Sequence, residues 1–376
     1  AWTQGSARDG VQTLWAPQVS GLAALAPGAP AALPPRLAAA GAPVLVAGPD
    51  IDTAGGWAAA VALAEKQRLP VWASPATGGS RIGFPERHPN FVGVLPPAIG
   101  PIGETLSDHD LVLVVGSSVF PYYPYLPGPL LAEGTALVAI TSDPGEAARA
   151  PMGDAIVGDV GLALRRLVEL VSEAGDRDHP EPRPEPGDPP PAEPPDKLSG
   201  SEAMAALADA WPRDGIAVVE TPSCTLSLRN RLRISSPGSY YFCASGGLGF
   251  GISAAVGVQL ACPDRPVVCV LGEGSAQYGI TALWSAVAYK APVTFLVLRN
   301  DEYMILKWFA MLEQVTGAPG LDLPGLDVAA IARAYGMPAR EVSGREELTG
   351  ALREAVAAED GPRLVQVPVA SGMWLE

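Results

Sequence analysis

The chain has 376 residues, 48% of them hydrophobic, which leaves room for two or three domains with substantial cores. Only 17% of residues are charged and the net charge is −15, so the basic surface that nucleic acid or an anionic membrane would require is missing. No run of about 18 uncharged apolar residues offers a membrane span, and no signal peptide is recognisable.

The chain opens on Ala1-Trp2 without methionine, which reads as a processed or cut product. APVLVAGPD (42–50) predicts a strand that runs into turn residues, and GGWAAAVALAEKQRL (55–69) predicts an alanine-rich helix. PVWASP (70–75), DLVLVVGSS (110–118) and TALVAITSD (135–143) predict further strands. GLALRRLVELV (161–171) predicts a helix with Leu162, Leu164, Leu167 and Leu170 on one face. These strands are continuously hydrophobic rather than alternating, as in a parallel sheet buried on both sides. Their alternation with helices predicts a Rossmann-like α/β domain over 1–173.

Residues 174–197, AGDRDHPEPRPEPGDPPPAEPPDK, are dense in proline and charge. Proline removes backbone donors and fixes φ, so this segment reads as an extended, semi-rigid linker. Beyond it, 198–376 repeats the first style. Strands are predicted at 217–221, 239–245, 266–272, 293–300 and 363–369, and helices at 201–210, 248–261, 275–290, 327–335 and 345–357. In the third of these helices, Ile280, Leu283, Trp284 and Val287 have the spacing of one packed face. The expected architecture is α/β throughout: two Rossmann-like parallel-sheet domains, with helices on both faces, joined by the Pro-rich linker. Cys224, Cys243, Cys262 and Cys269 form no CxxC pair and sit in or beside apolar runs, so they read as buried thiols in a reducing cytoplasm.

Open α/β sheets bind ligands at the carboxyl ends of their strands. The first domain offers only Gly48-Pro49-Asp50 and Gly116-Ser117-Ser118, with no GxGxxG and no Walker lysine loop. The second is richer. Its strands end in Glu220-Thr221-Pro222-Ser223, Gly246-Gly247-Leu248-Gly249, Gly272-Glu273-Gly274-Ser275 and Asn300-Asp301. Ser223 and Ser275 can donate to phosphate oxygens, and a helix starting near Ser275 would aim its first amides at an anion. If the strands ending in Glu273 and Asn300 are neighbours, both side chains reach one point. A carboxylate, an amide oxygen and a backbone carbonyl are ligands for Mg²⁺, which commonly bridges to a diphosphate.

GEGS (272–275) followed by RN (299–300) resembles the strand-end Gly-Asp-Gly and downstream Asn-Asn of thiamine-diphosphate enzymes. PGSYYFCASGGLGFGISAAVGVQLA, LWSAVAYKAPVTF, KWFAMLEQVTGAPGLDLPGLD and DPGEAARAPMGDAIV are similar to 2-oxo-acid decarboxylases of the benzoylformate type. The resemblance covers nearly the whole chain, as that family's central domain (1–173) and diphosphate-binding domain (198–376). It implies thiamine diphosphate and Mg²⁺ as cofactors. Glu273 and Asn300 match side-chain metal ligands, and Glu302 a residue that ligates through its carbonyl. Ser223, Gly274, Ser275 and Tyr278 match diphosphate contacts. Gly246 and Leu248 match the segment that grips the aminopyrimidine, Leu248 being the apolar wedge behind the cofactor's V shape. Phe242, Ile305, Leu306 and Phe309 match the surroundings of an aryl substrate. Tyr123 stands where the family has a catalytic histidine; it reads as a pocket-lining aromatic or as a proton donor with an unperturbed pKa of about 10.

The implied reaction is decarboxylation of an aryl 2-oxo acid to an aldehyde and CO₂. The family's pyrimidine-binding domain, which carries an activating glutamate, has no counterpart in these residues. It is expected from the same polypeptide or a separate one, within a homo-oligomer. Tyr123 in place of histidine, Pro222 in place of a hydroxyl residue, Glu273 in place of aspartate and Arg299 in place of asparagine support an alternative, a non-catalytic paralogue or regulatory subunit that keeps the fold; a carboligase of the same family is a further alternative.

Overall fold

The computed structural model describes residues 30–75, 80–119, 126, 128–244 and 246–375. Tyr123 lies outside the described residues.

Among the described residues, twelve strands form two six-stranded parallel sheets. The first contains β1 (Pro43–Ala47), β2 (Val71–Ala73), β3 (Phe91–Val94), β4 (Leu111–Val115), β5 (Ala136–Thr141) and β6 (Asp154–Val157), in the order β3-β2-β1-β4-β5-β6. The second contains β7 (Ile216–Glu220), β8 (Tyr240–Phe242), β9 (Val267–Gly272), β10 (Thr294–Arg299), β11 (Ala339–Glu341) and β12 (Arg363–Pro368), in the order β11-β12-β10-β9-β7-β8. Every residue of β1, β4 and β7 is buried, because helices cover both faces of each sheet. Each fully buried Val, Leu or Ile contributes about 1.5–3 kcal/mol relative to exposure.

Local signals explain several boundaries. The helix Trp57–Gln67 stops where Arg68 turns left-handed at φ +50°. The helix Gly200–Asp209 starts at a capping box, in which Ser199 accepts from Glu202 N and Glu202 accepts from Ser199 N. The helix Val160–Leu170 is capped by Asp159, which accepts from Leu162 N.

Two expectations are corrected. In Val160–Leu170 the buried face is Val160, Ala163, Leu164 and Leu167; Leu162 is exposed and Leu170 only half-buried. The helix expected at 275–290 begins at Glu273 and divides into Glu273–Gly279 and Ala282–Ala288. The break rotates the second part, so Ala286 joins Leu283 in the core while Trp284 is left 57% exposed.

The Pro-rich segment is docked along the protein. Arg177 donates to the carbonyls of Gln67, Leu37 and Ala40. Arg233 donates to Pro184 O and Glu185, and Ser199 Oγ donates to Pro190 O. The two sheets also share one apolar core, which runs from Leu45 and Leu113 to Val219, Val270 and Leu352. A buried ion pair crosses between them. Arg229 Nη2 and Nε lie 2.7 and 2.9 Å from Glu86 Oε1, and Ile234 N donates to Glu86 Oε2 at 3.1 Å.

The strand order reverses between β1 and β4 in the first sheet and between β7 and β9 in the second. Ligands of open sheets lie at such points. In the first sheet the point is filled by backbone: a Cβ on Gly48 would fall 2.2 Å from Gly116 O, and one on Gly83 2.1 Å from Gly48 O. It is also acidic. Burial, then Glu146 and Asp143, push the Asp50 carboxyl upward.

Candidate functional site

The second reversal opens into a solvent-continuous cleft at the carboxyl ends of β7, β9 and β10. Pairing of β9 with β10 sets Gly272 opposite Leu298, so Glu273 and Asn300 leave the sheet side by side. Leu248, Gly274, Ser275, Ser223, Glu302 and Ile305 also line this cleft. Gly246 is exposed in the same loop as Leu248, with φ +69°. Tyr278 is 63% exposed, its ring 6.5 Å from that of Tyr303. Phe242, Leu306 and Phe309 are not among the lining residues. Phe242 N donates to Ser80 O across the two sheets, Leu306 is exposed, and Phe309 packs edge-on against Trp308.

Glu273 is buried at the centre of the site. Its Oε1 accepts from Asn300 N at 3.0 Å and from Glu302 N at 3.3 Å. Burial pushes its carboxyl upward, and the surrounding N–H groups partly oppose that rise. One terminal atom of the Asn300 amide lies 3.2 Å from Glu273 Oε1 and 2.9 Å from Glu302 O. Turned so that this atom is nitrogen, the amide donates to both. Turned so that it is oxygen, it accepts from Glu302 N at 3.3 Å, and the side-chain oxygens of Glu273 and Asn300 and the Glu302 carbonyl converge. A small cation bound octahedrally at about 2.1 Å holds neighbouring ligand oxygens about 3.0 Å apart, close to the separations seen here. Among the described residues no cluster of three or more His, Cys, Asp or Glu side chains could hold a metal. This candidate centre instead combines one carboxylate, one amide and one carbonyl.

The floor of the cleft is shaped by close contacts. A Cβ on Gly274 would lie 2.4 Å from Tyr303 Cε1, so the tyrosine ring rests directly on the glycine backbone. Arg299 points away from the cleft and pairs with Glu341 at 2.8 Å. Its place beside Asn300 therefore brings no positive charge to the three oxygens.

Several participants escaped the sequence reading. The buried Glu220 carboxylate accepts from Gly251 N at 2.6 Å and from Gly249 N, tying the Leu248 loop to the end of β7. Burial pushes this carboxyl upward too, against the pull of those N–H groups. A carboxylate ending an apolar strand was the signal that singled out Glu273, and Glu220 carries the same one. Trp374 had no such signal. It lines the cleft, donates from its backbone N to Ser223 O at 2.8 Å, and packs on Gly200, where a Cβ would fall 2.2 Å from its ring. Among the described residues no helix is long and apolar enough to cross a membrane.

Comparison with known proteins supplies the family. Residues 31–167 match the thiamine pyrophosphate enzyme central domain, and residues 222–367 match the thiamine pyrophosphate enzyme C-terminal TPP binding domain. The chain is 50% identical over 367 residues to a benzoylformate decarboxylase of Pseudomonas aeruginosa, a match covering 98% of this chain and 68% of that protein. Among solved structures it resembles the thiamine diphosphate-dependent 4-hydroxybenzoylformate decarboxylase of Rhodococcus jostii RHA1, with TM-score 0.88, 43% identity, and coverage of 92% of this chain and 64% of that one. It also resembles the benzoylformate decarboxylase of Polynucleobacter necessarius, with TM-score 0.88, 34% identity, and coverage of 94% and 66%. The chain thus spans about two thirds of the length of these relatives.

Proposed function

The chain belongs to the thiamine pyrophosphate enzymes, and from that premise we propose that it carries the central and diphosphate-binding parts of a decarboxylase for an aryl 2-oxo acid of the benzoylformate type. The observation that carries this reading is the convergence of the Glu273 carboxylate, the Asn300 amide and the Glu302 carbonyl beside the reversal of the second sheet.

In this reading Glu273, Asn300 and the Glu302 carbonyl hold Mg²⁺, while Ser223, Gly274 and Ser275 take the diphosphate. Hard oxygen ligands suit Mg²⁺, which keeps the remaining positions for phosphate and water. Thiamine diphosphate, when bound, supplies the electron sink for the bond pair released as CO₂ leaves. The residues of this chain orient and enclose. Gly246 and Leu248 position the aminopyrimidine from one side, and Glu220 holds their loop in place. Ile305 contributes an apolar wall for the aryl group, and the half-buried Phe309 lies one turn further along the same helix. Tyr278 borders the diphosphate end. Phe242 and Leu306 act on the substrate only indirectly or in the assembled enzyme, and Tyr123 is retained as a candidate aromatic of the pocket.

A pyrimidine-binding region, in the same polypeptide or a separate one, completes the site within an oligomer. The helix Met304–Leu312, MILKWFAML, supports this: none of its residues is buried, and Met311 is 62% exposed. So apolar a surface beside a cleft suits a covered interface.

The test is benzaldehyde and CO₂ release from benzoylformate by the protein with its pyrimidine-binding region, Mg²⁺ and thiamine diphosphate. Turnover that stops on chelation and resumes with Mg²⁺ is expected. Failure to bind thiamine diphosphate with Mg²⁺ under those conditions would overturn the reading.

A further inference from the structure

The metal reading uses only the carbonyl of Glu302, yet both oxygens of its side chain are held. Oε2 lies 2.6 Å from Lys307 Nζ, and Oε1 accepts the Ser371 hydroxyl. Lys307 Nζ also reaches Asp322 Oδ1 at 2.5 Å. The backbone is pinned from the same side: Tyr303 N donates to Leu321 O at 2.8 Å and Leu323 N to Asp301 O at 2.7 Å. Between Asn300 and Glu302, Asp301 adopts φ +61°, a left-handed conformation that non-glycine residues rarely take. Such strain persists only where the surroundings over-determine it. Here it lets the N–H groups of both Asn300 and Glu302 reach the Glu273 carboxylate.

Resting on the function proposed above, we propose that Lys307 and Ser371 are positioning residues for the cation. Together they occupy both carboxylate oxygens of Glu302 and turn that side chain away, so that its carbonyl is the group offered to the metal. Lys307 also offsets the charge that a second carboxylate would bring beside Glu273. Mg²⁺ demands near-ideal octahedral geometry, so a carbonyl that drifts, or a carboxylate that swings in to replace it, weakens binding. Loss of a group that orients a metal ligand typically lowers metal affinity about 10–100-fold.

The experiment titrates Mn²⁺, as a spectroscopic stand-in for Mg²⁺, into the full-length protein with thiamine diphosphate, reading free ion by electron paramagnetic resonance. K307M is expected to weaken Mn²⁺ binding by about 10–100-fold with the metal-free melting temperature little changed, and K307R to recover part of the loss. The double variant E302Q/K307M should bind no worse than K307M, because the lysine acts through that carboxylate. S371A, which removes a single hydroxyl, should show a smaller loss in the same direction and carries the test if K307M does not fold. Mn²⁺ affinity equal to or tighter than that of the parent, in both K307M and S371A, would overturn the proposal. Absence of Mn²⁺ binding by the parent protein would instead overturn the metal site itself.

Discussion

Glu273 Oε1 accepts the backbone N–H of Asn300 at 3.0 Å, so the two side chains that head the metal reading are held together by the main chain itself. The bond exists because β9 and β10 are adjacent and in register. E273Q keeps an acceptor for that N–H but loses the charge. Its metal affinity should fall by at least the roughly 10–100-fold that loss of an orienting group costs, with the fold intact. E273A also orphans the Asn300 N–H and should lose about 1–3 kcal/mol of stability. Calorimetric Mg²⁺ titration and urea unfolding of the two variants separate these effects.

Gly274 and Tyr303 make a second test. A methyl at 274 would meet the ring at 2.4 Å, so G274A forces Tyr303 or the start of the helix to move. Overpacking of this kind costs about 1–3 kcal/mol. The double variant G274A/Y303A should be more stable than the sum of its single changes, as measured by urea unfolding.

The Glu86–Arg229 pair is buried on both sides, with side-chain exposures of 0% and 5%. Removing one partner leaves an uncompensated buried charge, so R229A should cost about 3–5 kcal/mol. The exposed pair Arg166–Glu169 provides the contrast, and R166A should cost about 0–1 kcal/mol. Equal losses in urea unfolding would contradict the role assigned to burial.

Glu220 predicts a pH dependence. Burial raises its folded-state pKa above the ordinary value of 4.5. The folded protein then binds the proton more tightly than the unfolded chain, so this contribution to stability is complete below that value and is lost as pH rises through the elevated one. Melting curves taken from pH 4 upward should show that decline, and E220Q should reduce it, leaving the shares of Glu273 and Asp50, which burial raises in the same direction. E220Q also turns an amide N–H₂ toward backbone donors, so the Leu248 loop should loosen and thiamine diphosphate binding weaken.

Much of this was legible in order along the chain. Apolar runs such as VVCVL and FLVLR could only be strands buried on both faces, and their hydrophobic side chains are buried. The edge strands β3, β6 and β11 went unread, because a strand paired on one side needs no continuous hydrophobic run; β6 has no buried residue. The split at Ile280–Thr281 was equally hidden, since a break of two residues leaves the apolar spacing almost intact.

The sequence by itself determined the chemistry available: a carboxylate, an amide, serines and glycines at the ends of apolar strands, because a polar group at such a place has no packing role. Only the tertiary structure decided which of them meet. Adjacency of β9 and β10 joined Glu273 to Asn300, and the strained Asp301 brought Glu302 to the same point. Lys307 and Ser371 reached the Glu302 side chain, the latter from 69 residues away, and Asp322 reached Lys307. Trp374 reached Ser223 from beyond the last strand. Contacts between distant segments depend on strand order and loop path, and these follow from the packing of the whole chain rather than from any local run of residues.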